Sequence, residues 1–163
     1  MKRSICVFLV LICLTLSSCT ESEYKILPFE DKTVRAECTV NDSFDVIIYK
    51  DKDSCSLEVI APSELYGLKF LFSDSGSYAA SGELKIPVSR DDLNGIYALS
   101  SLFNISEDMM VSASSKDGRG YVGFSRDDAE YTFIFDNDGF IEGAVISSDQ
   151  YEYKIRIRAM EIK

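Results

Sequence analysis

Two adjacent acid pairs, Asp91-Asp92 and Asp127-Asp128, are the first residues whose types invite chemistry. Paired carboxylates can cleave a glycosidic bond, one as general acid and the other as nucleophile or base. Each pair sits beside a turn or a helix start, however, and solvated caps explain acids there without any reaction. The run Asp136-Asn137-Asp138-Gly139-Phe140-Ile141-Glu142 resembles a calcium loop. Setting Gly139 at the invariant glycine of such a loop puts Ile134 at its first ligand position and Val145 at its last, where carboxylates are needed. The spacing therefore predicts an Asp-Gly hairpin turn. Gly118-Arg119-Gly120 lacks the rest of any phosphate loop. The chain has no histidine at all, which removes imidazole acid–base catalysis, Ser-His-Asp and Cys-His nucleophiles, and most zinc sites. No catalytic residue, metal or cofactor is expected, and the chain is not expected to be an enzyme.

The 17 Lys and Arg stand against 27 Asp and Glu, a net charge of −10 that repels phosphate backbones and argues against a nucleic-acid partner. Met1-Lys2-Arg3, an apolar run from Ile5 to Leu16, and then Ser17-Ser18-Cys19 have the order of a secretory signal. The run is shorter than the roughly 20 residues a membrane-spanning helix needs. Leu16-Ser17-Ser18-Cys19 resembles the lipobox of bacterial lipoproteins. That resemblance implies cleavage before Cys19, a diacylglyceryl group on its thiol, and a palmitate-type anchor on the extracytoplasmic face of the cell membrane. Two or three acyl chains anchor firmly where a single chain is marginal. Loss of residues 1–18 takes Lys2 and Arg3 and no acid, so the net charge moves from −10 to −12. Such a body is repelled by anionic lipid, which leaves the acyl chains to hold it at the membrane. Residues 19–29 then form the lipidated cysteine and a short tether. In a bacterial lipoprotein the sequons Asn41-Asp42-Ser43 and Asn104-Ile105-Ser106 carry little meaning.

Of the five cysteines, Cys6 and Cys13 leave with the signal and Cys19 is acylated, which leaves Cys38 and Cys55 for a disulfide. If their strands flank the strand Phe44–Tyr49 in a meander, about 10 Å separates them, beyond the roughly 7 Å that a bridge tolerates. Two buried free thiols are favoured, although an export route permits the bridge.

Period-two alternation dominates from Thr33 onward. Val34, Ala36, Cys38 and Val40 share one face, opposite Thr33, Arg35, Glu37 and Thr39; Phe44, Val46, Ile48, then Leu57 and Val59, and Leu68, Phe70 and Phe72 continue the pattern. Tyr131, Phe133 and Phe135 alternate, and Tyr151 to Ala159 oppose Glu152, Lys154, Arg156 and Arg158. These are half-buried antiparallel strands. Asn41-Asp42, Asp51-Lys52-Asp53, Asp74-Ser75-Gly76, Asp117-Gly118 and Asp138-Gly139 mark the turns, at a spacing that gives about nine or ten strands. One segment differs. Ser89-Arg90-Asp91-Asp92 reads as an N-cap with acids in the first turn, and Leu93, Ile96, Tyr97, Leu99, Leu102 and Phe103 recur at helical spacing. One main helix is expected over about 90–104.

A helix of about 14 residues is roughly 20 Å long and 10 Å wide, so it covers only part of such a sheet's inner face. Exposed apolar surface costs about 25 cal/mol per Å². The sheet must therefore roll into a packed barrel, pair with a partner, or wrap an apolar cavity that accepts a ligand. For a cavity, the helix face Leu93, Ile96, Tyr97, Leu99 and Phe103 is the best lining, with Phe70, Phe72, Tyr131 and Phe133 on the opposite wall. Each of these also reads as an ordinary core residue.

The order of parts carries a resemblance: Leu27-Pro28-Phe29, an antiparallel series holding Val59-Ile60-Ala61-Pro62-Ser63-Glu64-Leu65-Tyr66-Gly67-Leu68-Lys69-Phe70, one helix, and a last group with Tyr131–Phe135, Asp138-Gly139 and Tyr151–Met160. It is similar to the LolA/LolB-like lipoprotein-carrier superfamily, especially small lipoproteins of Gram-positive bacteria. The resemblance implies an α+β, mostly β fold over residues 30–163. Its curved antiparallel sheet forms an unclosed half-barrel, with the helix across the concave face and a cavity for acyl chains. The chain departs from the carriers in being acylated itself and in lacking their long N-terminal helix, so no binding residue is carried over. The expected function is a membrane-anchored, non-enzymatic lipoprotein that binds a hydrophobic ligand such as lipid. The alternative is a cell-envelope protein–protein interaction module with a filled core.

Overall fold

The structure, a computed structural model, describes Phe29 and residues 31–163. The expected signal, Cys19 and all of the tether before Phe29 lie outside the described residues. Strand β1 (Val34–Val40) alternates buried and half-exposed residues without a fault, as its spelling predicts. Strands β2 (Phe44–Lys50), β3 (Ser54–Ala61), β4 (Lys69–Ser73), β5 (Gly76–Ser81) and β6 (Leu84–Pro87) follow as a meander. After a helical segment come β7 (Met110–Lys116), β8 (Arg119–Arg126), β9 (Ala129–Phe135), β10 (Ile141–Ser147) and β11 (Glu152–Ile162).

All eleven strands join one antiparallel sheet in the order β6-β5-β4-β3-β2-β1-β11-β10-β9-β8-β7, so the sheet is mostly β, open, and a half-barrel as expected. The two meanders are sewn together by β1 and β11, from Val34 opposite Ile162 to Val40 opposite Ile155. Tight turns set the other registers. Asp117 and Gly118 have φ of 53° and 78°, the backbone that two-residue hairpins need to match strand twist, and Asn41 and Asp42 have 50° and 52° in the three-residue β1–β2 turn.

The helical segment is shorter than its apolar spacing predicts. A 3-10 turn at Asp91–Leu93 runs into α1 (Asn94–Ser100), and turns carry the chain on to Phe103. The Ser100 and Ser101 hydroxyls donate to the carbonyls of Ile96 and Tyr97, both at 2.7 Å, and the Tyr97 carbonyl also accepts the Ser101 amide at 2.9 Å as the last helical turn closes. Leu102 and Phe103 keep their helical spacing yet are buried from the turn itself. At the start, the Ser89 hydroxyl accepts the Asp91 N–H at 3.2 Å, as a residue capping the segment should.

Topology explains where this segment lies. It connects β6 at one edge to β7 at the other, ten strand spacings of about 4.8 Å, or about 48 Å on a flat sheet. Residues 88–109 bridge that gap by running across the concave side of a curled sheet, and Leu102, Phe103 and Ile105 bury against it. The core is this one layer between crossing segment and sheet, with Phe29, Phe124, Phe133 and Ile146 among its fully buried members.

Cys38 and Cys55 are buried free thiols. Strand β2 separates them, with Cys38 opposite Val46 and Cys55 opposite Lys50, so they are offset along the strands as well as across them. Burial pushes the Cys38 thiol up to about 12 and the Cys55 thiol up to about 11.

Candidate functional site

The lone helix takes one side of the concave face. Strands β2, β3 and β4 are its packing partners, and Tyr97 meets Phe72 edge to face at 5.2 Å. On its other side a cleft of about 1090 Å³ opens toward the β8–β9 and β10–β11 hairpins. Arg90, Asp91, Asn94 and Tyr97 form its helical wall. The β8–β9 hairpin supplies Ser125, Asp127, Asp128, Glu130 and Tyr131, and the β10–β11 hairpin supplies Ser147, Asp149, Gln150 and Tyr151. Here the helix fails to roof the sheet, as its length predicts, but the rim of the gap is polar.

Five carboxylates, Asp91, Asp127, Asp128, Glu130 and Asp149, face a single lining guanidinium, that of Arg90. The mouth is therefore negative; Asp91 of the first acid pair and both Asp127 and Asp128 of the second reach it from opposite walls, while Asp92 does not line it. Asp127 and Asp128 occupy the hairpin corner at φ of 50° and 62°, conformations that favour glycine or asparagine. Arg90 donates to the Ser73 carbonyl at 3.1 Å and lies 5.2 Å from the Tyr97 ring centre. Among the described residues, no group of three or more His, Cys, Asp or Glu is placed to hold a metal ion.

Behind the mouth, Arg126 binds the two walls together. Its side chain is 11% exposed. Nη1 donates to the carbonyls of Ser101 (3.2 Å) and Asn104, and Nη2 to the hydroxyls of Ser101 and Tyr131 (2.8 Å). Asp127 Oδ2 stands 3.3 Å from Nε as an ion pair without hydrogen-bond alignment. The guanidinium also lies 4.8 Å from the Tyr131 ring centre. Burial raises the Tyr131 hydroxyl above its ordinary value, and the charge of Arg126 opposes that rise.

The expected cavity residues divide between the cleft and the packed layer beneath it. Half-buried Tyr97 lines the cleft, and Tyr131 borders it from the buried layer, only 1% exposed. Phe72, Leu99, Phe103 and Phe133 are buried core, while Phe70, Leu93 and Ile96 are half-buried. Phe103 and Phe133 approach to 6.3 Å with the Phe29 ring beside both, 5.3 Å from Phe103 and 6.2 Å from Phe133. Sequence reasoning placed Phe29 at the end of a tether and passed over Arg126. The one signal for Phe29 was its place at the end of the short apolar run Ile26-Leu27-Pro28-Phe29, set between polar residues ahead of the first strand.

No protein-family model matches the chain, and no curated protein matches it. Solved structures share its outline. An uncharacterized conserved protein from Thermus thermophilus aligns with a TM-score of 0.45 at 8% identity, covering 82% of this chain and 80% of that one. A LolA superfamily protein from Nitrosomonas europaea aligns at 0.42 and 9% identity, covering 82% and 87%. An outer membrane lipoprotein-sorting protein domain from Vibrio parahaemolyticus aligns at 0.45 and 8% identity, covering 81% and 85%. At these scores the chain is similar in outline to such structures, and the likeness carries no argument about its chemistry.

Proposed function

We propose that the chain is a membrane-anchored, non-enzymatic binding protein of the bacterial cell envelope, a LolA/LolB-like lipoprotein of the small Gram-positive kind. Its ligand is an amphiphile whose apolar part lies along the concave face and whose polar end sits in the cleft. The observation that carries this reading is the gap of about 1090 Å³ between α1 and the two hairpins. Half-buried Tyr97 borders that gap, and beneath it the buried Tyr131 and Phe133 are neighbours on one face of β9. The carboxylate rim favours a neutral or positively charged polar end over a fatty-acid carboxylate. Native mass spectrometry of residues 20–163 tests it: a co-purifying lipid mass is expected, and a clean apo mass that also survives incubation with mixed bacterial lipids defeats it. Cys19→Ala tests the anchor separately, since unchanged membrane retention would defeat the lipobox.

One observation favours the interaction-module reading. Both sheet edges are open and apolar in places, with Leu84 and Ile86 on β6 and Met110 and Val111 on β7 exposed. A clean apo mass together with a retained protein partner would support that alternative.

A further inference from the structure

We infer that Phe29 is a built-in occupant of the ligand site, holding the position that a bound apolar chain takes and leaving when that chain arrives. The inference rests on the amphiphile reading of the cleft. Phe29 belongs to no strand or helix, yet it is 1% exposed. Its ring is wedged between Phe103, from the segment that crosses the concave face, and Phe133 of β9. That is the layer in which a half-barrel would hold a guest.

The cleft stops one step of β9 short of Phe133 in that layer. Tyr131 lines the cleft, and Phe133 follows two residues later on the same buried face of β9, about 7 Å further in. The Phe29 ring is 6.2 Å beyond Phe133. The two approach from opposite ends of the sheet. Phe29 comes in where β1 begins beside the end of β11, whereas the cleft opens at the β8–β9 and β10–β11 hairpins, by the start of β11. An alkyl chain that enters the cleft and runs past Tyr131 and Phe133 therefore meets Phe29.

The ring can leave without unpairing a strand. The Lys32 amide donates to the Phe29 carbonyl at 3.0 Å, a turn contact outside the sheet ladder. An alkyl chain filling the vacated space restores the apolar contacts that the ring gives up, so the exchange leaves the core packed.

The test uses residues 20–163, which contain every strand and helix described, with the neutral fluorophore N-phenyl-1-naphthylamine as probe. Phe29→Ala is expected to tighten probe binding at least about tenfold. Ile48→Ala, which opens a hole in the same core beneath β2, should leave affinity within about twofold. In the unaltered protein, saturating probe should speed hydrogen exchange at the Lys32 amide at least about tenfold while β1 amides stay protected. Should Phe29→Ala prove unfolded, the exchange measurement decides alone. Equal probe affinity with an unmoved Lys32 amide overturns the displaceable ring and leaves the amphiphile reading standing. An equal gain in both alanine variants reduces Phe29 to an ordinary core ring and also overturns it. No binding by either protein overturns both readings.

Discussion

Arg126 shows how a single side chain can close a gap that no secondary structure spans. A short helix ends with carbonyls in want of donors, and here a guanidinium from the opposite wall supplies them. Arg126→Met leaves the Ser101 and Asn104 carbonyls and the Tyr131 hydroxyl without that donor. It should cost about 3 kcal/mol in urea unfolding. Arg126→Lys should recover less than half, because a single ammonium cannot reproduce the fork. The thiols make a second prediction at this scale. Native Cys38 and Cys55 stay protonated up to about 12 and about 11, while the unfolded chain ionises from about 9. Ionisation then favours unfolding, so this contribution is present below pH 9 and fades as pH rises through the native values, at up to about 1.4 kcal/mol per pH unit for each thiol. Urea midpoints should fall between pH 9 and 11, less steeply in Cys38→Ala. Ellman's reagent at pH 8 should find neither thiol until the protein unfolds. The buried thiols were legible from their places on apolar faces. Arg126 was not, because an arginine beside Asp127 and Asp128 reads as part of a solvated charge run.

The helix and its neighbours show what an element owes to its setting. Gly95 lies inside α1, where alanine would ordinarily gain about 1 kcal/mol. Its missing Cβ would meet Tyr153 Oη at 2.5 Å, and Tyr153 is braced by its stack on Tyr151 at 5.4 Å. Gly95→Ala should therefore lose about 1 kcal/mol in the unaltered protein and gain about 0.5–1 kcal/mol in a Tyr153→Ala background; additive effects in that double-mutant cycle would reject the contact. Helical spacing was readable in Leu93, Ile96, Tyr97 and Leu99. The early end was not, because Leu102 and Phe103 keep the helical spacing while lying in the turn that follows Ser100. Strand β1 was readable because one of its faces is fully buried. Strand β7 was hard to see because all seven of its residues are exposed, and it is placed by its pairing with β8.

At the scale of the whole molecule, the cleft could not be read in advance because segments 90–98, 125–131 and 147–151 meet only when the sheet curls. What composition and length did disclose was a sheet too broad for its helix, and the gap lies where that shortfall falls. The curl depends in turn on a central seam. Strand β11 is the partner of both β1 and β10, so a chain ending at residue 151 leaves two meanders with nothing between them. Such a truncation should abolish cooperative unfolding in circular dichroism altogether; a sigmoidal transition at lower urea would show instead that the halves cohere without their shared strand. The seam also governs timing. Its second half, β11, is synthesised after every other strand described, and pairing across more than a hundred intervening residues is slow. Until residues 152–162 arrive, the earlier strands have no middle to fold around. A chain still lacking β11 would thus stay threadable, which is the condition that export across a membrane by the proposed route would require.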